Sequence, residues 1–155
     1  MKKRKIYLDT SVISHLDAPD APEKMRDTIE LWKMLESGLY YDVVLSSVVL
    51  VELEECQQPK RSNIAKRLAN IRYELITIDD GTVVLASKFV DIGVLSAKSI
   101  DDCRHIAVAL ISGCDIIASW NFKHIVNIKT IEGVKKIAVS GGYNELLICT
   151  PSMLI

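Results

Sequence analysis

The chain has 155 residues, of which 49% are hydrophobic and 25% are charged, with only 7 Gly and 4 Pro. This composition excludes a disordered chain and a collagen-like repeat, and the length suits one domain with its own hydrophobic core. The formal net charge of −1 argues against bulk attraction to nucleic acid but leaves a local basic groove open. No apolar run approaches the roughly 18 residues of a membrane span, and the basic start precedes no apolar signal segment, so we expect a cytoplasmic protein.

Apolar runs alternate with segments of helical periodicity along the chain, a pattern typical of a βαβ series with a mostly parallel sheet. The first half predicts strands over 6–8 and 42–45 and helices over 10–16, 23–38, 46–56 and 59–72, with Ser46 or Ser47 as a cap. The second half predicts strands over 74–78, 115–119 and 145–149, helices over 79–93, 99–113 and 130–139, and a turn over 141–143. We therefore predict a single α/β domain over residues 1–155, whose tail from about residue 140 adds a turn and a strand.

The four cysteines, at positions 56, 103, 114 and 149, are far apart in the sequence and form no C-x-x-C pair. Such spacing favours neither a zinc site nor a disulfide framework. We expect four small, mostly buried thiols.

The first candidate site follows the first predicted strand, where Asp9, Thr10 and Ser11 supply a carboxylate and two hydroxyls. In open α/β sheets, ligands bind in the crevice beyond the carboxyl ends of the strands. Asp9 is therefore a candidate site residue, and its alternative role is that of a helix N-cap.

The second candidate is Glu52, in the helix that follows the second strand. Helical spacing predicts that Val48, Val51 and Glu52 share the inward face, while Glu54 points away and Glu55 lies at the solvated helix end. An inward carboxylate is costly without a partner or a metal. A salt bridge to a basic side chain is the alternative role for Glu52.

The third candidate is Asp102, near the start of the helix predicted over 99–113. It flanks an apolar stripe, whereas Asp101 falls on the opposite side; the stripe comprises Cys103, Ile106, Ala107, Leu110 and Cys114. Asp102 also fits a capping box with Ser99. Near it, His105 fits a half-buried, hydrogen-bonded histidine better than a ligand.

The fourth candidate is the segment after the strand predicted over 115–119. Ser119 and Asn121 there could orient a carboxylate or a bound water. Trp120 fits packing in the core or at the rim, and a base-stacking platform is its alternative role.

Three carboxylates brought into one cleft would repel one another, and a divalent cation would make them tolerable. Oxygen ligands without Cys or His favour Mg²⁺ or Mn²⁺ over zinc. Such ions activate a water and clamp the oxygens of a phosphoryl displacement. The spacing by itself points to metal-dependent phosphoryl chemistry and no further.

Four motifs in order resemble the PIN-domain family, and above all the VapC-like toxins of bacterial toxin–antitoxin pairs. They are Ile-Tyr-Leu-Asp9-Thr-Ser, Val-Glu52-Leu, Asp102-x-x-His-Ile-Ala-x-Ala and Ile-Ala-Ser119-Trp-Asn121-Phe-x-His. The tail Gly-Gly-Tyr-x-x-Leu-Leu-Ile-Cys-Thr-Pro resembles one branch of that group. The resemblance implies a three-layer α/β/α fold with a central, mostly parallel sheet. It also implies Mg²⁺- or Mn²⁺-dependent ribonuclease activity, homodimers and inhibition by a cognate antitoxin.

By this resemblance Asp9, Glu52 and Asp102 match the family's first three acids, which are its catalytic and metal-binding residues. Asn121 stands where many members carry a fourth acid, and Ser11 and Ser119 match supporting positions. Because Asn adds no charge, the departure implies a weaker metal site, or one ion where two would bind.

Basic side chains would position an RNA substrate. The candidates are Lys60, Arg61, Lys66, Arg67 and Arg72 in one predicted helix, and Lys123, His124 and Lys129 after the Asn121 segment. A solvated helix face is the alternative for these residues.

Rival functions are limited by what the sequence lacks. A haloacid dehalogenase-type phosphatase needs an acid where Ser11 stands, and a dinucleotide-binding enzyme needs a G-x-G-x-x-G run that is absent. The open alternative is a PIN-like RNA- or protein-binding module with weak or no nuclease activity.

Overall fold

A five-stranded, all-parallel sheet lies at the centre of the structure, a computed structural model that describes residues 2–155. Met1, the first residue of the basic start, lies outside the described residues. The strands are β1 (Arg4–Leu8), β2 (Tyr41–Ser46), β3 (Tyr73–Ile76), β4 (Ile116–Ala118) and β5 (Leu147–Cys149), in the order β3-β2-β1-β4-β5. Tyr7 pairs with Val44 on one side and with Ile117 on the other, so β1 is covered by strands along both edges.

Within residues 2–155, seven α-helices connect the strands. They are α1 (Thr10–Ser14), α2 (Pro22–Ser37), α3 (Ser47–Glu54), α4 (Lys60–Leu68), α5 (Asp80–Asp91), α6 (Ile100–Ile111) and α7 (Ile128–Gly141). The chain steps from β1 outward to β3 and then returns past β1 to β4 and β5, so the direction of the crossovers reverses. Right-handed crossovers therefore place α1–α4 on one face of the sheet and α5–α7 on the other. The predicted α/β/α fold with a parallel sheet is confirmed, as are the predicted strands, to within a few residues at their ends.

The central strands β1 and β4 are mostly apolar where they are buried. Ile6, Leu8 and Ile117 have no exposed surface, because helices cover both faces of β1 and β4. In the described part of the chain, no helix is long and apolar enough to cross a membrane. The four cysteines are free thiols, and all but Cys56 are buried.

The inward face of α3 differs from the sequence prediction. Val49 and Leu53 are buried, whereas Val51, predicted to face inward, is 60% exposed. Val51 lies about 200° around the helix from Val49, so the two cannot share a face. Glu52 flanks the buried face, with a third of its side chain (33%) exposed, and Glu54 is exposed as predicted.

The helix predicted over 59–72 ends earlier, at Leu68. The chain must turn after α4 to enter β3 at Tyr73, and this turn places Arg72 beside Lys3 and Lys5, at the amino end of the sheet. The prediction that Arg72 joins the basic helix face is therefore wrong. It lies at the edge of the sheet opposite to the carboxyl ends of the strands.

Candidate active site

The candidate residues meet at the carboxyl ends of the central strands. Asp9 directly follows β1, Ser119 directly follows β4, and Glu52 lies on the helix that follows β2. Asp102 reaches the same edge from the first turn of α6. Because crossovers on the two sides of β1 run in opposite directions, this edge is the topological switch point where α/β sheets form a crevice.

Asp9 is the most deeply buried of the acids, with 3% of its surface exposed. Its Oδ1 accepts hydrogen bonds from Ser11 Oγ at 2.6 Å and from the Val12 amide at 3.1 Å, and its Oδ2 accepts one from Ser119 Oγ. Asp9 is thus the N-cap of α1 as well as a site carboxylate, so its two predicted roles coexist. Burial raises the pKa of this carboxyl above its ordinary value, against the lowering effects of His105 and of the two serine hydroxyls.

Glu52 is held through one oxygen. Its Oε1 accepts hydrogen bonds from His105 Nε2 at 2.6 Å and from Thr10 Oγ1 at 3.0 Å. Burial raises the pKa of Glu52, but the His105 and Thr10 bonds outweigh that effect, and the net direction is downward. The basic partner that the sequence left open for Glu52 is therefore His105.

His105 is fully buried and bonded at both ring nitrogens. Opposite Glu52, its Nδ1 lies 2.6 Å from the Tyr7 hydroxyl, which lies 2.7 Å from Ser46 Oγ. Ser46 was predicted as a helix cap, but its side chain makes no capping bond to α3. The alternative, Ser47, makes none either, because its Oγ accepts a bond from the Ile78 amide.

Asp102 is bonded to the segment that follows β4, and Asp101 is not. Asp102 Oδ1 accepts a bond from Asn121 Nδ2 at 3.3 Å, and Oδ2 lies 2.9 Å from His124 Nδ1. Asp101 is exposed and bonds Arg104 Nη1 at 2.9 Å on the surface. Burial raises the pKa of Asp102, and the nearby Asp9 charge adds to that rise while the two histidines oppose it. The predicted capping box does not form, since the Ser99 side chain makes no cap bond.

The segment after β4 joins Asp9 to Asp102. Ser119 Oγ donates to Asp9 and accepts from the Asn121 amide, while Asn121 Oδ1 accepts from the His124 amide. Trp120 is buried, and its Nε1 donates to Thr28 Oγ1 at 2.8 Å. The core-packing prediction for Trp120 is therefore confirmed, and its ring is not free to stack on a base.

The donor set fits a hydrated divalent cation. Burial raises the pKa of Asp9 and of Asp102, which means that the surrounding protein compensates their negative charge only in part. Carboxylate oxygens are ligands that Mg²⁺ prefers. In residues 2–155 no three acidic, His or Cys side chains converge tightly enough to form a ready-made metal cage. Mg²⁺ commonly binds through one or two carboxylates and keeps several waters, so such a cage is not required.

The predicted substrate-binding side chains fall into two groups. Lys60, Arg61, Lys66 and Arg67 lie on α4, which packs beside the turn that follows α1. Lys123 and Lys129 are exposed beyond Asn121. His124 belongs to the acidic cluster itself, through its bond to Asp102.

Sequence reasoning missed Tyr7 as part of the site, and it named Thr10 only as a hydroxyl beside Asp9, without its bond to Glu52. Tyr7 lies two residues before Asp9, in β1. A tyrosine in the middle of a strand buried on both faces must find a hydrogen-bond partner, which is the signal that was available.

The fold and the site together define a doubly wound parallel α/β protein with acidic side chains at its switch point. The chain matches the PIN domain over residues 6–123, a range that contains Asp9, Glu52, Asp102 and Asn121, and it belongs to the PIN-domain family. No curated protein matches it.

Two solved structures share the fold at low sequence identity. VapC20 of Mycobacterium tuberculosis, a toxin that cleaves the sarcin–ricin loop, aligns with a TM-score of 0.58 at 18% identity, covering 90% of this chain and 97% of that chain. VapBC2 of Rickettsia felis, bound to a DNA fragment from its promoter, aligns with a TM-score of 0.56 at 13% identity, covering 94% of this chain and 98% of that chain. These similarities extend well beyond the PIN-domain match into the tail of the chain.

Proposed function

We propose that this PIN-domain protein is a Mg²⁺- or Mn²⁺-dependent endoribonuclease and the toxin of a toxin–antitoxin pair. The observation that carries the proposal is that Asp9, Glu52 and Asp102, from three different parts of the chain, lie at the carboxyl edge of the sheet, each oriented by protein hydrogen bonds. The structural similarity to VapC20 and VapBC2 supports the toxin assignment.

In this proposal Asp9, Glu52 and Asp102 hold the cation, which when bound supplies an activated water and neutralises charge on the phosphate. Ser11 and Ser119 orient Asp9, and Asn121 and His124 orient Asp102. The residues of α4 together with Lys123 would draw in the RNA backbone by charge.

The test is cleavage of a fluorescently labelled single-stranded RNA by the purified protein. We expect cleavage in Mn²⁺ or Mg²⁺ and none in excess EDTA, with activity restored by added metal. Asp9→Asn protein purified in parallel controls for a contaminating ribonuclease. Full activity of the wild-type protein in EDTA, absent from the variant, would overturn the metal-dependent mechanism.

A PIN-like binding module with weak or no nuclease activity is the second candidate. Asn121 favours it, because the position contributes no charge and its side chain is engaged with Asp102 and the His124 amide. A protein that binds RNA or an antitoxin tightly but cuts nothing in Mn²⁺ would establish this alternative. We further propose that the protein binds a cognate antitoxin, forms a homodimer and is located in the cytoplasm.

Asn121→Asp is expected to strengthen metal binding and to lower the Mn²⁺ concentration that gives half-maximal activity. The change puts a second carboxylate within about 3.3 Å of Asp102 Oδ1, where a cation would relieve the new repulsion. Titration of activity against Mn²⁺ measures the shift, with Asn127→Asp in the helix cap of α7 as a matched control. An unchanged or higher half-saturation point for Asn121→Asp would place this side chain outside the reach of the metal.

A further inference from the structure

We propose that Ser46, Tyr7 and His105 form a buried hydrogen-bond relay that positions Glu52 for metal binding. The relay rests on the proposed function, since it assigns Glu52 to the metal. Its members act through Glu52 and are positioning residues.

The relay crosses the core in three short bonds. Ser46 Oγ lies 2.7 Å from Tyr7 Oη, Tyr7 Oη lies 2.6 Å from His105 Nδ1, and His105 Nε2 lies 2.6 Å from Glu52 Oε1. Ser46 and Tyr7 have no exposed surface, and His105 has 2%. The side chains come from β2, β1 and α6, and the fourth, Glu52, comes from α3. Glu52 is thus tied to three elements besides its own helix.

One end of the relay sets the orientation of the imidazole. An ionised carboxylate accepts hydrogen bonds only, so the ring must carry a proton on Nε2 and point it at Glu52. In the neutral ring Nδ1 then accepts, which makes the Tyr7 hydroxyl the donor and leaves Ser46 to donate to Tyr7. In the charged ring Nδ1 donates as well, so the Tyr7 hydroxyl accepts that bond and donates to Ser46. The bond from Nε2 to Glu52 is the same in both charge states.

The placement of this network is hard to explain by stability alone. Burying polar side chains costs free energy unless every group is paired, and apolar residues of similar volume serve a core at least as well. Around the relay the core is apolar, with Ile6, Leu45 and Ile106 fully buried. Its terminal group is Glu52, a partly exposed carboxylate at the crevice.

The relay also accounts for which oxygen of Glu52 is free. Both bonds to the carboxylate, from His105 and from Thr10, go to Oε1. Among the described residues none donates to Oε2, so this oxygen is left for a cation. Because Oε1 is held by two bonds, Oε2 points in one direction. The Glu52 side chain therefore loses less conformational freedom when a metal binds.

The test compares Mn²⁺ binding to the wild-type chain and to Tyr7→Phe by isothermal titration calorimetry. Phe keeps the ring and removes the hydroxyl that connects Ser46 to His105. We expect Tyr7→Phe to bind Mn²⁺ about 10- to 100-fold more weakly, the usual cost of losing a group that orients a metal ligand. At saturating Mn²⁺ its rate of RNA cleavage should return close to the wild-type rate, because the relay does not touch the substrate.

Thr82→Val is the matched control. Thr82 is 2% exposed and its hydroxyl bonds Asp79 Oδ1 at 3.0 Å, so the change also removes one buried hydroxyl, but outside the relay. We expect it to leave the Mn²⁺ dissociation constant unchanged. Ser46→Ala, which removes the far end of the relay, should weaken Mn²⁺ binding in the same direction as Tyr7→Phe but by less, and it decides the question if Tyr7→Phe does not fold.

The outcomes separate the relay from the proposed function. Weaker Mn²⁺ binding by Tyr7→Phe with unchanged binding by Thr82→Val supports the relay. Wild-type affinity in both relay variants would overturn the relay and leave the nuclease proposal standing. A wild-type chain that binds no Mn²⁺ would overturn both.

Discussion

Asp9→Asn and Asp102→Asn are each expected to lower the rate of RNA cleavage by at least about 100-fold, the usual order for removing one group that stabilises developing charge. Each change removes a negative charge at the crevice while keeping the size of the side chain. Asp101→Asn makes the same chemical change one residue away. Since Asp101 is exposed and paired with Arg104, its variant should retain nearly full activity.

Single-turnover cleavage of a labelled RNA at fixed Mn²⁺ measures these rates. Circular dichroism of each variant shows whether the fold is intact, which matters most for Asp9 because it also caps α1. Equal losses in Asp101→Asn and Asp102→Asn would mean that α6 does not present Asp102 to the reaction. Full activity of Asp9→Asn would remove the buried carboxylate from the mechanism.

Without metal, Asp9→Asn is expected to melt at a higher temperature than the wild-type protein. Burial raises the pKa of Asp9 in the fold above its unfolded value, so the ionised carboxylate destabilises the folded state at neutral pH. Asn keeps an acceptor for the Val12 amide and has an N–H for Ser119 Oγ, without the charge. We expect a gain of roughly 0.5–2 kcal/mol, the size of other trade-offs between activity and stability. That is about 2–4 °C per kcal/mol in melting temperature for a chain of this size.

The difference in stability between Asp9→Asn and the wild-type protein should depend on pH, because the pKa of Asp9 is raised in the fold. The contribution of a carboxyl with a raised pKa favours folding below its unfolded pKa and is lost as the pH rises through its folded pKa. The advantage of Asp9→Asn should therefore be largest at neutral pH and shrink as the pH falls and Asp9 takes up its proton. Asp102, whose pKa is raised as well, should behave in the same direction.

Added Mn²⁺ is expected to reverse the order of the two proteins. A ligand that binds only the folded state stabilises it by RT ln(1 + [L]/Kd), which is about 2.7 kcal/mol at 100 times Kd. The wild-type midpoint should rise with Mn²⁺, and that of Asp9→Asn should barely move. Differential scanning fluorimetry of both proteins, with and without metal, measures all four cases. A metal-free variant that melts lower, with equal responses to Mn²⁺, would show that the carboxylates do not share a site.

Much of the fold could be predicted from the sequence. Alternation of apolar runs with helical periodicity predicted the parallel sheet, because a strand buried on both faces must be continuously apolar. The phase of α6 was also predictable, since its stripe is long enough to place Asp102 and Asp101 on different sides. Periodicity is less decisive in α3, because a helix of 8 residues contains too few apolar positions to fix its inward face. Val51 was therefore wrongly predicted to face inward.

Which polar groups meet was decided only by the tertiary structure. Ser46 and Ser99 carry good local signals for caps, yet neither side chain caps a helix. Ser46 bonds Tyr7 instead, because β1 and β2 are neighbours in the sheet, and a buried hydroxyl takes the partner that the neighbouring strand presents. Local propensity has no information on that choice.

In the candidate site, too, some residues could be identified from the sequence and others only from the tertiary structure. The acids Asp9, Glu52 and Asp102 could be singled out from strand ends and helix phase, which depend on residues close in sequence. Their partners could not, because His105 lies 53 residues from Glu52 and Ser119 lies 110 residues from Asp9. Those contacts depend on the strand order β3-β2-β1-β4-β5, which brings the carboxyl ends of β1, β2 and β4 together. The sequence by itself determined which residues carry the charge, and the order of the strands determined which side chains orient it.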